Sequence, residues 1–236
     1  TTQITLKLDK LPPQERIMIA AHFDSIENCL KAVQPVMKHN LYTCEMMDKT
    51  ILDCTKHNKT QEENRFFIEG DPIAILMCEV KADTVQKVEN LAKSLLQEIV
   101  DTDLSYAYPL LKGDNINKAI NLRSAGLGLL GNIVGDKKGV ACIEDTAVGL
   151  PDLANYISEF TELMKGYEQD AIYYAHAGAG HRVLCPAQPS FGHRSSQPPL
   201  PQLSRHARIV LERSQQEHWS HSPAPHRAGT RLLEIA

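Results

Sequence analysis

His176 closes the apolar run Ala171-Ile-Tyr-Tyr-Ala, and small residues follow it, with Gly178 and Gly180 alternating with alanines before the chain reaches His181. An imidazole at the end of a strand can accept a proton from a substrate hydroxyl. Glycines at 178 and 180 let a bulky, flat ligand approach the backbone and let the chain turn tightly. Arg123 is one of three arginines in residues 1–180, where lysine carries the rest of the positive charge. A guanidinium grips a carboxylate through two parallel N–H bonds, which an ammonium cannot do. The plainer readings stay open: a histidine that serves structure, and an arginine on a helix surface.

Two further motifs carry less. Gly126-Leu-Gly-Leu-Leu-Gly131 matches G-x-G-x-x-G letter for letter, and Asp145 follows near the spacing of a ribose-binding acid. A dinucleotide site needs an apolar strand just before that motif and a long helix just after it. Here a partly polar, helical stretch precedes it and Asn132-Ile-Val-Gly-Asp-Lys-Lys-Gly139 follows. Residues 126–131 therefore read as a flexible loop near a ligand. Glu144 and Asp145 end a predicted strand, as ordinary acids or as a pair beside a metal.

The chain has 236 residues, 42% hydrophobic and 23% charged, as expected of a soluble globular protein with one sizeable domain or two small ones. Its longest apolar run, Ile73 to Cys78, has strand length and falls far short of the ~20 residues that span a bilayer. No basic, apolar leader opens the sequence, and a strand-like run begins almost at once, as in a fragment of something longer. The six cysteines form no C-x-x-C pair, which points to reduced thiols and a cytoplasmic location.

Composition changes abruptly after Gly180. Residues 181–236 contain neither Lys nor Asp, hold more than half of the prolines and histidines, and turn the net charge from negative to positive. The expected division is an ordered but incomplete domain at 1–180 and a compositionally foreign tail at 181–236. That tail reads as disordered or as the product of a shifted reading frame. Its arginines are scattered, and Phe191 and Trp219 are its only large aromatics, which argues against a nucleic-acid arm.

The elements that must position these residues follow from periodicity. Residues 4–8 alternate like a strand, and 16–23 read as a buried strand after the Pro12-Pro13 turn. Asp24 or Ser25 caps a helix to about Lys38. Over 41–55, Leu41, Cys44, Met47, Ile51 and Leu52 have mostly helical spacing. Residues 71–82 contain the clearest strand, and Asp83 caps the next helix. A strand at 104–111, a helix from Asp114 toward Ala125 and a strand at 138–148 come next. Pro151 opens a helix to about Lys165 that buries Leu153, Tyr156, Ile157, Phe160 and Met164. A last strand delivers His176 to its end. The order favours an α+β fold, a mostly antiparallel sheet with helices packed on one face, followed by an irregular C-terminal tail.

Five segments taken in order are similar to one known family. They are ERIMIAAHFDSIENCLKAV (15–33), CEMMDKTIL (44–52), NRFFIEGDPIAILMCEV (64–80), LRSAGLGLLGNIVGDKKGVACIEDTAV (122–148) and YYAHAGAG (173–180). Together they resemble the C-terminal domain of FAD-linked oxidases of the glycolate oxidase and D-lactate dehydrogenase type, within the vanillyl-alcohol-oxidase superfamily. The resemblance implies a ferredoxin-like domain that caps the substrate side of FAD, the cofactor being held mainly by an FAD-binding domain outside this chain. It implies oxidation of a small D-2-hydroxy acid, lactate or glycolate in type, to the 2-oxo acid with hydride transfer to FAD.

Residue by residue, the resemblance implies that Arg123 holds the substrate carboxylate and that His176 activates the hydroxyl. Gly178 and Gly180 would lie against the flavin, and His176 with His181 would contribute to a divalent-metal site. The motif's second histidine should fall at Val183, two residues after His181, and the acidic element expected later is missing from the tail. The isolated chain is expected to be inactive. The rival reading is a non-catalytic ferredoxin-like module that binds a ligand or regulates.

Overall fold

The computed structural model describes Thr5 and residues 11–133, 137–139, 143–179 and 181–189. At the centre of its sheet stand β1, Glu15–Phe23, and β3, Ala74–Ala82, paired antiparallel along their whole length from Glu15↔Ala82 to Phe23↔Ala74. Both strands are covered on two faces, so their sequences read as continuous apolar runs rather than as alternating ones. Between them come α1, Ile26–Val36, β2, Thr43–Asp48, and α2, Lys49–Thr55. After β3 follow α3, Val85–Asp101, β4, Leu110–Lys112, and α4, Asp114–Gly128.

β2 pairs with the outer edge of β3 and β4 with the outer edge of β1, giving the order β4-β1-β3-β2. Each of α1 and α3 carries the chain across an intervening strand, the ferredoxin-like α+β arrangement. The sheet continues past β2 through β7, Asp170–His176, and β8, His181–Pro189. The short β5, Lys137–Gly139, and β6, Ile143–Ala147, both pair with β8, and α5, Leu153–Gly166, packs on β7.

One face carries α1, α3 and α5, with α1 between the other two. Their inward stripes follow helical spacing: Val88, Ala92, Leu95 and Ile99 on α3, and Leu153, Tyr156, Ile157, Phe160 and Met164 on α5. Burying Leu95 and Ile99 contributes about 1.5–3 kcal/mol each. The opposite face is not left open. There Met18, Ala20, Met47, Ile75 and Met77 from the strands join Ile51 and Leu52 of α2 and Ile116, Ala119 and Leu122 of α4 in one cluster.

Several elements depart from the expectations. Residues 41–55 hold β2 and then α2 rather than one helix, because the apolar residues of a strand covered on both faces can fall at helical intervals by chance. Thr84, not Asp83, caps α3, accepting from the Lys87 N–H at 3.4 Å. The strand expected at 104–111 shrinks to β4 and a single bridge from Ala107 to His22, since Pro109 has no N–H to donate. The stretch 138–148 carries two strands instead of one. Residues 4–8, apart from Thr5, and the tail from 190 onward lie outside the described residues.

The Gly126–Gly131 segment is not a loop. Gly126 and Gly128 form the last turn of α4, and Leu130–Asn132 is a short 3-10 turn. A methyl group on Gly126 would stand 2.5 Å from Cγ2 of the fully buried Ile51, so the missing side chain lets α4 lie against α2. Gly126→Ala is expected to cost about 1–3 kcal/mol through overpacking, although Ala favours a helix. Urea denaturation measures it; unchanged or increased stability would show that α2 shifts freely.

Candidate active site

Strand β2 places Glu45 on the same sheet face as Met47, the face that α4 covers. Its register with β7, Met46↔Ala175 and Met47↔Tyr174, sets Glu45 opposite His176. That register is clamped from one side chain. Asp48, 4% exposed, accepts the Ile51 N–H at 3.0 Å, capping α2, and the Tyr173 N–H of β7 at 2.7 Å.

Burial pushes the Asp48 carboxyl up to about 6, against the opposing pull of its backbone N–H partners. The folded state therefore takes up this proton before the unfolded chain does, between about pH 6 and the ordinary carboxylate value of 3.8. Over that window acidification stabilises the fold at Asp48, by about 2–3 kcal/mol in all. His22 works in the opposite sense. It is fully buried, Nδ1 donates to the Ala20 carbonyl at 2.8 Å and Nε2 accepts the Glu69 N–H at 3.2 Å. Burial lowers its pKa below 6.5, so stability present above that value is lost as pH falls. In Asp48→Asn the partial offset disappears. Its deficit against the parent chain is expected to be larger at pH 4.5 than at pH 7, as followed by chemical denaturation; a pH-independent deficit would contradict the assignment.

Arg123 reaches the same place from α4. Its side chain is 9% exposed, and Nη2 lies 2.6 Å from Oε2 of Glu45 while donating to the Ala175 carbonyl at 3.2 Å. The guanidinium carbon sits 3.9 Å over the centre of the Tyr174 ring, a stacking that lysine does not reproduce. Its Nε–H is buried and has no partner among the described residues. His176 completes the cluster from the end of β7, with Nδ1 at 2.7 and 2.9 Å from the two oxygens of Glu45. The imidazole is 38% exposed, the most accessible member of the three.

Arg123 and His176, far apart in sequence, thus meet on one carboxylate. Sequence reasoning missed that carboxylate. Glu45 was hidden inside a stretch with helical spacing, and only a period-two reading of Thr43, Glu45 and Met47 would have set it facing α4.

The other expected residues fare differently. Gly178 lies in the 3-10 turn Ala177–Ala179, and a Cβ there would stand 2.9 Å from Cβ of Cys44 and 3.1 Å from Sδ of Met37. Its bareness serves close packing beneath α1, and that side offers a flat ligand no room. Gly180 and the side chains of His181, Glu144 and Asp145 lie outside the described residues, although the backbones of His176 and His181 pair across the hairpin. Among the described residues no group of three His, Cys, Asp or Glu side chains could hold a metal ion, so no metal step is derived. The cluster combines a guanidinium held by Glu45 with an accessible imidazole, groups able to attract an anion and to move a proton.

The fold is thus a ferredoxin-like sheet extended by a second set of strands, with the Glu45–Arg123–His176 cluster on the face that α4 covers. The family of FAD linked oxidases, C-terminal domain, matches residues 12–198, and the chain belongs to it. It is 25% identical over 192 residues to D-2-hydroxyglutarate dehydrogenase of Pseudomonas putida, covering 78% of this chain and 19% of that protein. To D-2-hydroxyglutarate dehydrogenase of Haemophilus influenzae it is 26% identical over 188 residues, covering 75% and 18%. The chain therefore spans about a fifth of the length of these curated relatives. Among solved structures it is similar to an alkyldihydroxyacetonephosphate synthase, with a TM-score of 0.50 over 87% of this chain and 40% of that one. At 9% identity that likeness concerns the fold alone. Among the described residues no helix is long and apolar enough to cross a membrane.

Proposed function

We propose that this chain is the substrate-side portion of an FAD-dependent dehydrogenase of D-2-hydroxy acids, with D-2-hydroxyglutarate rather than lactate or glycolate as its substrate. The observation that carries the reading is the meeting of Arg123 and His176 on one face of the sheet in a chain of this family. The choice of substrate rests on the relatives, which are D-2-hydroxyglutarate dehydrogenases.

When bound, the flavin supplies the acceptor for the hydride that leaves C2 of the substrate. This chain's own residues handle charge and the proton. His176, the exposed member of the cluster, takes the proton of the C2 hydroxyl as that bond is oxidised. Arg123, its guanidinium oriented by Glu45 and the Ala175 carbonyl, supplies the positive charge that draws the substrate carboxylate to this face. The surrounding apolar residues of α4 and β3 keep the local dielectric low, which strengthens both interactions.

The test is reconstitution with the FAD-binding portion of a D-2-hydroxyglutarate dehydrogenase, followed by dye reduction with a panel of substrates. D-2-Hydroxyglutarate is expected to support reduction better than D-lactate or glycolate. A flavin-loaded complex that reduces dye with none of them favours the rival, a non-catalytic binding or regulatory module.

A further inference from the structure

We infer that Tyr174 is a positioning residue of this site: its ring lies against the Arg123 guanidinium and sets the plane in which that cation meets an anion. The kinetic consequence rests on the function proposed above; the stacking does not.

The polar contacts of the guanidinium leave that plane undecided. Its contacts with Oε2 of Glu45 at 2.6 Å and with the Ala175 carbonyl at 3.2 Å are both made by Nη2. Nε has no partner among the described residues. A flat cation tied at one corner can still swing about that corner, and its remaining N–H bonds swing with it. Recognition of a carboxylate depends on those bonds sharing one plane with it, because the fork must meet two oxygens at once.

The Tyr174 ring removes this freedom. The guanidinium carbon stands 3.9 Å over the ring centre. At that distance an edge-on approach would drive a nitrogen into the ring, so the two planes stack. The negative face of the aromatic ring attracts the cation, and more strongly than in water, since both side chains are buried. The ring itself is held. Tyr174 pairs with Met47 across β2 and β7 and belongs to the apolar cluster that includes Met47 and Leu122. The neighbouring Tyr173 N–H is fastened by Asp48 at 2.7 Å. Strand β7 thus supplies a fixed plate on which α4 lays its arginine, and the angle of the cation follows from the packing of the sheet.

The test reads the Arg123 side chain directly, by proton NMR of its Nε–H in the full chain, the signal being identified by its loss in Arg123→Lys. Protons above an aromatic face are shifted upfield. The expected spectrum shows that shift in the parent and in Tyr174→Phe, which keeps the ring, and its loss in Tyr174→Leu, which keeps apolar bulk alone. A parent signal at the ordinary position, or one unmoved in Tyr174→Leu, overturns the inference. No flavin or substrate enters this measurement, so its failure is distinct from failure of the proposed activity. In the reconstituted enzyme Tyr174→Leu is expected to raise KM for D-2-hydroxyglutarate roughly 5–30-fold with kcat little changed. A ring that served only the fold would reduce the amount of folded enzyme, and so the maximal rate, without moving KM. Tyr174→Phe is expected to match the parent in both constants, and it decides the matter should leucine prevent folding. A raised KM in Tyr174→Phe would assign the role to the hydroxyl and contradict the one inferred for the ring.

Discussion

His176→Ala is expected to lower turnover of D-2-hydroxyglutarate in the reconstituted enzyme by roughly 10²–10⁴-fold, the usual contribution of a positioned general base. Its effect on stability is expected to stay within about 1 kcal/mol. The ring is 38% exposed at a strand end and fills no part of the buried cluster around Met47 and Ile51. That contrast is the informative feature. A histidine serving structure would lose stability and activity together, whereas a base loses activity alone. Steady-state kinetics beside thermal melting separates the two, and a His176→Ala enzyme with near-parental turnover would remove the histidine from the reaction.

Arg123→Ala is expected to be the most destabilising substitution at the site. It leaves Glu45, 19% exposed, without its counter-ion, deprives the Ala175 carbonyl of a donor and removes the cation stacked on Tyr174. Breaking a buried ion pair from one side costs about 3–5 kcal/mol, and the partial exposure of Glu45 places the expected loss near the lower figure. Arg123→Lys keeps the charge but not the fork, and is expected to fall between parent and Ala. Removing both partners costs less than the two single losses combined, since neither charge is then stranded. A double-mutant cycle with Arg123→Met and Glu45→Met, read by urea denaturation, tests this. Additive losses would mean that the pair contributes no coupling.

Much of this architecture is legible in the sequence where a single period dominates. The stripes of α3 and α5 and the runs of β1 and β3 are unambiguous, because each is long and apolar on schedule. The reading fails where local pattern and tertiary context diverge. β2 is short and buried on both faces, so its apolar residues mimic a helix, and Glu45 disappears into that misreading. Gly126 and Gly178 look like places for a ligand because glycine marks close approach. A sequence does not name what approaches; on the side a Cβ would occupy it is Ile51 at Gly126, and Cys44 and Met37 at Gly178. Arg123 and His176 stand out for the opposite reason. Each is a rare residue type at the end or on the face of a well-patterned element, and the sheet brings both to one carboxylate.

Bleaching of bound flavin is the most direct measure of what this domain does. Added anaerobically to the reconstituted, flavin-loaded enzyme, D-2-hydroxyglutarate is expected to discharge the yellow colour. Its L enantiomer is expected to leave the colour unchanged, and His176→Ala is expected to slow the discharge as far as it slows turnover. A flavin that is fully bound yet stays oxidised with every 2-hydroxy acid offered would contradict the assignment of this chain to substrate oxidation.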